Sequence, residues 1–162
     1  MVREDNFRID RETMFMQITE VVAKRSTCLR ARVGATIIRD NRVVSIGYAG
    51  APSRLKHCTE NGCKIEDGHC VRTVHAEANA IAFAAKAGIP TDGAEMYITH
   101  SPCKNCAKLI INSGIRRVTY REYRGDGIEL LDYAGVEVIR FDRDSRLPSQ
   151  QKRDSQQGIH LY

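Results

Sequence analysis

The sequence predicts an α/β fold, a three-layer α/β/α sandwich around a five-stranded mixed sheet. Three observations predict it. An amphipathic helical stretch opens the chain, two β-branched runs follow as a hairpin across Asp40-Asn41, and beyond residue 74 helical and strand-like segments alternate. That order puts helices on both faces of a sheet. The 162 residues, 42% hydrophobic and 28% charged, suit a single domain. A chain of this size buries roughly 70% of the surface its unfolded form exposes, enough for a core without a disulfide framework.

Met14, Phe15, Ile18, Val21 and Val22 recur at helical spacing between charged residues and predict a first helix over 10–24. Strands are expected over 33–38 and 43–48. The stretch 49–74 has no sustained periodicity and holds Gly, Pro, Asn and three of the six cysteines, so a loop this long is expected to be stapled. A second helix is expected over 77–87, ending at Gly88, then a third strand over 94–99. Pro102 suits a helix start, which places a third helix from there to Ser113-Gly114. A fourth strand at 118–120, a short helix at 128–133 and a fifth strand at 136–141 complete one domain, taken as 1–141. Residues 142–162, rich in Ser, Gln, Arg and Asp, are expected to form a polar tail, loosely ordered or docked on a neighbour. The sequence has no internal repeat.

Of the 25 basic residues 18 are Arg, against 20 acidic residues, for a net charge of +5. Arginine offers phosphate a planar bidentate fork, so this bias suits a phosphorylated partner as well as a merely solvated basic surface. No apolar run approaches the roughly 20 residues that span a bilayer, and Met1-Val2-Arg3-Glu4-Asp5 lacks the apolar stretch of a signal peptide. A cytoplasmic protein without membrane contact is therefore expected. In a reducing compartment its cysteines read as metal ligands or buried thiols.

His75-Ala76-Glu77 and Pro102-Cys103-Lys104-Asn105-Cys106 make the H-x-E…P-C-x-x-C signature of zinc-dependent nucleobase deaminases. One imidazole and two thiolates leave a fourth tetrahedral position for water, which marks a catalytic zinc rather than a structural one. Cys103 and Cys106 are three apart at a helix start, so both sulfurs share a face and the positive helix end favours their thiolates. Glu77 is too close to His75 for both to serve as routine helical ligands, but it is placed to carry a proton beside the metal. A zinc ribbon would want four protein ligands, and a redox C-x-x-C pair has no use for an upstream His-x-Glu.

Further segments extend the likeness: Arg25-Ser26-Thr27-Cys28, Val33-Gly34-Ala35, Gly47-Tyr48, His57-Cys58, Gly62-Cys63, Cys70-Val71-Arg72, and the runs 75–81 and 101–115. Over about residues 12–140 the chain resembles the deoxycytidylate deaminase family. The resemblance implies a cytidine deaminase-like fold and hydrolytic deamination of dCMP to dUMP and ammonia, which would supply dUMP for thymidylate synthesis. It also implies a homo-oligomer, often a hexamer, activated by dCTP and inhibited by dTTP, with Mg2+ accompanying the triphosphate. His75, Cys103 and Cys106 would hold the catalytic zinc and Glu77 would shuttle protons. Ser26, Arg25 and Arg30 would lie near the 5′-phosphate and Tyr123 beside the nucleotide, although Arg25 and Arg30 read equally as a solvent-facing pair. A regulatory site is expected around Tyr48, Ala49 and Gly50 and near Phe83 and Lys86. Many members carry Gly-Tyr-Asn-Gly where this chain has Gly47-Tyr48-Ala49-Gly50, so one side-chain amide is missing there.

Cys28, Cys58, Cys63 and Cys70 remain, and four thiols around an anchor-poor loop suggest a second, structural zinc, such as some relatives carry. His57 or His69 could each replace a neighbouring cysteine, and inert buried thiols are the plain alternative. Two other functions fit less of the sequence. One is another deaminase of this fold, acting on cytidine, tRNA adenosine or a pterin or flavin precursor. The other is a catalytically silent zinc protein that binds nucleic acid, for which an intact Glu77 would be superfluous. No obligatory nucleic-acid partner is expected.

Overall fold

The computed structural model describes residues 8–142. The first helix, α1, spans Arg11–Ala23, and Asp10 caps it by accepting from the Thr13 amide at 2.9 Å and the Thr13 hydroxyl at 2.6 Å. Strands β1 (Gly34–Arg39) and β2 (Arg42–Tyr48) pair antiparallel. Asp40 and Asn41 between them have φ values of 50° and 57°, which is the left-handed pair a two-residue hairpin turn requires.

After the loop region come α3 (Ala76–Lys86), β5 (Glu95–His100), α4 (Lys104–Asn112), β6 (Arg117–Glu122), α5 (Ile128–Tyr133) and β7 (Glu137–Arg140). The sheet runs β2-β1-β5-β6-β7, with β1 antiparallel to β2 and β5, and β5, β6 and β7 mutually parallel. Side-chain alternation along the strands builds two cores. Ile37, Met96, Ile98 and Val118 pack with Ala80, Ala84, Ile110 and Leu131 of α3, α4 and α5. Ile38 and Tyr97 point the other way, to Phe15 and Met16 of α1. The five-stranded mixed sheet between helical layers is thus the architecture expected from the sequence.

The stretch 49–74 is more regular than its sequence suggests. It contains a one-turn helix α2 (Cys58–Asn61) and a small antiparallel ribbon of β3 (Ile65–Glu66) and β4 (His69–Cys70). The ribbon turns at Asp67-Gly68, with φ values of 47° and 77°. This Asp-Gly pair was the available signal, but flanking strands of two residues have no periodicity to read. Of the expected tail 142–162, all but Asp142 lies outside the described residues.

The helix starts differ in a way that matters for chemistry. Helices were expected from residue 77 and from Pro102, whereas His75 and Cys103 are the N-caps of α3 and α4. Both caps have extended backbone, with ψ values of 150° and 167°, so their side chains stand at the helix mouths. At Gly47 a Cβ would overlap the Ala76 carbonyl and the Ala80 amide. This near-contact of backbones seats the start of α3 against β2 and so fixes where His75 stands.

Candidate active site

The parallel strands β5 and β6 end beside the N-termini of α3 and α4, the usual position for a site in an α/β sheet. The segment after β6 is tied back to the turn before α4. Ser101 Oγ accepts the Arg124 and Gly125 amides at 2.7 and 2.8 Å, and the Gly127 amide donates to the Pro102 carbonyl at 2.9 Å. Asp126 Oδ1 accepts the Lys104 amide at 3.2 Å, closing the first turn of α4.

His75, Cys103 and Cys106 form one group, their donor atoms all within 4.8 Å of one another. His75 Nδ1 lies 3.6 Å from Cys103 Sγ and 3.5 Å from Cys106 Sγ. Zinc–sulfur and zinc–nitrogen bonds of about 2.3 and 2.0–2.1 Å at the tetrahedral angle put S and N about 3.6 Å apart. The donor set therefore fits zinc. Backbone amides support the sulfurs: Cys106 N–H points to Cys103, and Ala78 N–H to Cys106. The Cys106 thiol and His75 pull Cys103 down to about 3, while the adjoining Cys103 thiolate drives Cys106 strongly up. His75 is raised, first by its hydrogen bond to Cys103. A dication removes this competition, because a coordinated thiol is deprotonated outright.

Glu77 is only 4% exposed. Burial pushes its carboxyl up to about 6, opposed by its own backbone amide and by His75. A buried carboxyl of this kind, two positions after the metal group's histidine and in contact with Cys106, is able to accept and release a proton near neutrality.

The group opens into a cleft of about 280 Å³ whose walls include Cys28, Arg30, Ala49, His69, Cys70, Glu77, His100 and Arg124. This is close to the lower end of the size range for small-molecule sites. Of the residues expected to bind the nucleotide, Arg30 lines the cleft; Arg25 and Ser26, expected with it near the phosphate, and Tyr123 are not among its walls. The Ser26 hydroxyl is engaged with the Ala49 and Ala31 carbonyls at 2.8 and 3.3 Å and receives the Cys28 amide. Tyr123 is 62% exposed and sits edge-on to Tyr120. Sequence reasoning missed Arg124 and His100. No motif flags either, since the links that bring Arg124 in run through Ser101. His100 Nδ1 shares a hydrogen bond of 2.9 Å with the Thr99 hydroxyl, and its Nε2 lies 3.4 Å from Glu122.

A second group joins Cys58, Cys63 and Cys70, again within 4.8 Å of one another. Cys58 Sγ and Cys70 Sγ are 3.7 Å apart, close to the about 3.8 Å between thiolates sharing a tetrahedral zinc. Cys28 was expected as a fourth member. It stands outside the group and faces the cleft instead, with Ser26 holding its amide. His57 and His69 also stand outside, and His57 Nδ1 is 3.0 Å from Thr27 Oγ1. Lost hydration and the Cys58 thiol push Cys63 up to about 11. Against its own loss of hydration, the Thr73 hydroxyl and Arg72 amide bring Cys70 down to about 6.

The residues expected at a regulatory site divide. Tyr48 and Phe83 line an apolar groove between β2 and α3, with Lys86 Nζ 6.0 Å from the Phe83 ring centroid. Ala49 is buried and belongs to the catalytic cleft, while Gly50 packs against Thr27 and Tyr48. No described helix is long and apolar enough to cross a membrane.

An α/β/α sandwich that presents a histidine, two thiols and a buried carboxylate from two adjoining helix mouths defines the class of zinc-dependent hydrolytic deaminases. Residues 9–122 match the family model for the cytidine and deoxycytidylate deaminase zinc-binding region, and the chain belongs to this family. It is 45% identical over 150 residues to ComE operon protein 2 of Bacillus subtilis (strain 168), covering 91% of this chain and 79% of that protein. To the deoxycytidylate deaminase of Saccharomyces cerevisiae it is 34% identical over 139 residues; the match takes in 80% of this chain and 44% of the yeast enzyme. The dCMP deaminase of cyanophage S-TIM5, solved with dCMP and dUMP, superposes with a TM-score of 0.74 at 35% identity, covering 80% of this chain and 96% of that one.

Proposed function

We propose that this enzyme converts dCMP and water to dUMP and ammonia. The observation that carries the reading is a buried Glu77 beside the His75, Cys103 and Cys106 donor set, in a cleft that also holds Arg30 and Arg124. Zinc, when bound by those three side chains, supplies Lewis-acid activation of the attacking water. Glu77 takes a proton from that water and delivers it to N3 of cytosine as C4 is attacked. It then passes the second proton to the departing amine as the C4–N bond breaks. Arg30 and Arg124 supply charge-assisted hydrogen bonds to the 5′-phosphate. The Cys58, Cys63 and Cys70 group holds a second zinc that organises the 49–74 segment, with Cys28 replaced as fourth ligand by a group from outside the cluster.

The family resemblance further supports a cytoplasmic homo-oligomer, a hexamer by analogy, that feeds dUMP to thymidylate synthesis. By the same analogy dCTP with Mg2+ activates and dTTP inhibits, from a site that includes Tyr48 and Phe83. An effector must bind the active and inactive states unequally to shift either, and couplings of this type run at about 5-fold or more. Ammonia release from dCMP, dCTP, deoxycytidine and cytidine, assayed side by side with and without each triphosphate plus magnesium, tests the whole reading. Equal kcat/KM for deoxycytidine and dCMP would replace it with a nucleoside deaminase. Superimposable dCMP curves in all effector conditions would remove the regulation alone.

A further inference from the structure

The thiol cluster touches the segment that carries Arg30 at two points. Arg30 Nη1 donates to the Gly68 carbonyl at 2.6 Å, in the turn of the ribbon whose last residue is Cys70. One residue earlier, the Leu29 amide donates to the Cys63 sulfur. The neighbouring Cys28 and the cluster's own Cys70 both line the catalytic cleft, so the cluster borders it through Cys70. Arg30 itself is exposed, and a long side chain on an exposed segment has many rotamers to lose on binding an anion. A guanidinium has five N–H donors, so the one engaged by Gly68 leaves the others for a ligand.

We propose that the Cys58–Cys63–Cys70 cluster, closed around a divalent cation, is a positioning device for substrate: through the Leu29 amide and the Gly68 carbonyl it holds Arg30 oriented towards the phosphate of a nucleoside monophosphate. The proposal rests on the dCMP reading for the identity of the anion. Its physical content is that the ribbon is too short to hold its own turn. Two residues per strand give almost no ladder, and an isolated hairpin is marginal in water even when longer. Cross-linking three sulfurs, Cys58 of α2, Cys63 two residues beyond its end and Cys70 of β4, supplies the missing rigidity. An oriented Arg30 then binds phosphate without losing further rotamer freedom.

The test compares wild type with Cys63→Ser, Arg30→Ala and the double variant by three readouts: metal per chain, amide hydrogen exchange at Leu29 and Arg30, and KM against kcat for dCMP and deoxycytidine. Cys63→Ser is expected to lose one metal, to exchange faster at Leu29 and Arg30, and to raise KM for dCMP about 10-fold, in the range of one charge-assisted contact. Its kcat for dCMP and its kcat/KM for deoxycytidine should stay within about twofold of wild type. Arg30→Ala should reproduce the rise in KM with the metal count intact, and the double variant should be no worse than Arg30→Ala. Unchanged exchange in metal-depleted Cys63→Ser, additive KM effects, or equal losses on both substrates would overturn the proposal. Should Cys63→Ser not fold, an unchanged KM in Arg30→Ala overturns it as well. Failure of the dCMP reading looks different: wild type itself would then not prefer dCMP over deoxycytidine.

Discussion

His75 Nδ1 and Cys106 Sγ face each other at 3.5 Å across the gap between the mouths of α3 and α4, although 31 residues separate them in the chain. Each belongs to a different helix start, and each lies beside backbone amides that favour negative charge. The catalytic metal group therefore depends on how two helices dock on one sheet. Glu77 enters the same gap as the first acidic residue of α3.

Glu77→Gln keeps the size and much of the hydrogen bonding of the carboxyl but cannot take up a proton. Its zinc content and melting temperature should match wild type within error. Turnover of dCMP should fall at least ~10²–10⁴-fold, the usual contribution of a general acid-base group. Near-normal turnover would remove Glu77 from the mechanism.

Elemental analysis of freshly purified protein should give about two zinc ions per chain. Mild chelation should remove activity together with one of them. A single zinc that is unaffected by Cys58→Ser would show that the Cys58, Cys63 and Cys70 group holds no metal.

Arg124, whose amide donates to Ser101 Oγ, lines the cleft. Arg124→Ala should lower kcat/KM for dCMP by about one to two orders of magnitude, corresponding to a charge-assisted contact of roughly 1.5–3 kcal/mol. Deoxycytidine, which lacks the phosphate, should be used about as well as by wild type. Parallel losses on both substrates would assign Arg124 to the shape of the cleft instead.

His100 titrates below its ordinary 6.5, because burial disfavours the imidazolium more than Glu122 favours it, and Arg124 and Arg121 add to the lowering. The unfolded chain then binds more protons than the folded one once the pH falls below about 6.5. Its contribution to stability is full above that value and declines on the acid side. Chemical unfolding at pH 7.5 and 5.5 should show a smaller acid-induced loss for His100→Gln than for wild type. Identical losses would mean that His100 titrates alike in both states.

Glu95 is 6% exposed and binds Arg11 at 3.0 Å and Arg116 at 2.7 Å, with Arg117 at 3.7 Å. It thereby ties α1 to β5 and β6 at the end of the sheet away from the cleft. Glu95→Ala should cost about 1–3 kcal/mol in urea unfolding, discounted for the partial exposure of the arginines. Activity of the folded fraction should be unchanged. A stability loss below measurement error would reduce the cluster to an exposed network.

Much of the architecture was readable from the chain because it depends on local periodicity. Val33 to Ile38 and Val43 to Tyr48 are β-branched runs joined by an Asp40-Asn41 turn, and the Ala-rich run after His75 ends at a glycine, so strands, helices and their order follow from neighbours in sequence. The metal ligands and Glu77 were legible for another reason: zinc chemistry demands certain side chains at short, fixed spacings. The sequence by itself thus determined the layer order and the grouping of His75, Cys103 and Cys106 with a buried Glu77 beside them. Only the tertiary structure decided the rest. It excluded Cys28 from the thiol group, turned Ser26 to backbone carbonyls, brought His100 and Arg124 into the cleft, and tied Arg30 to Gly68. The relations of Ser26, Arg124 and Arg30 join segments as many as 38 residues apart through hydrogen bonds that involve backbone atoms, and every residue offers the same backbone groups, so no residue pattern announces them.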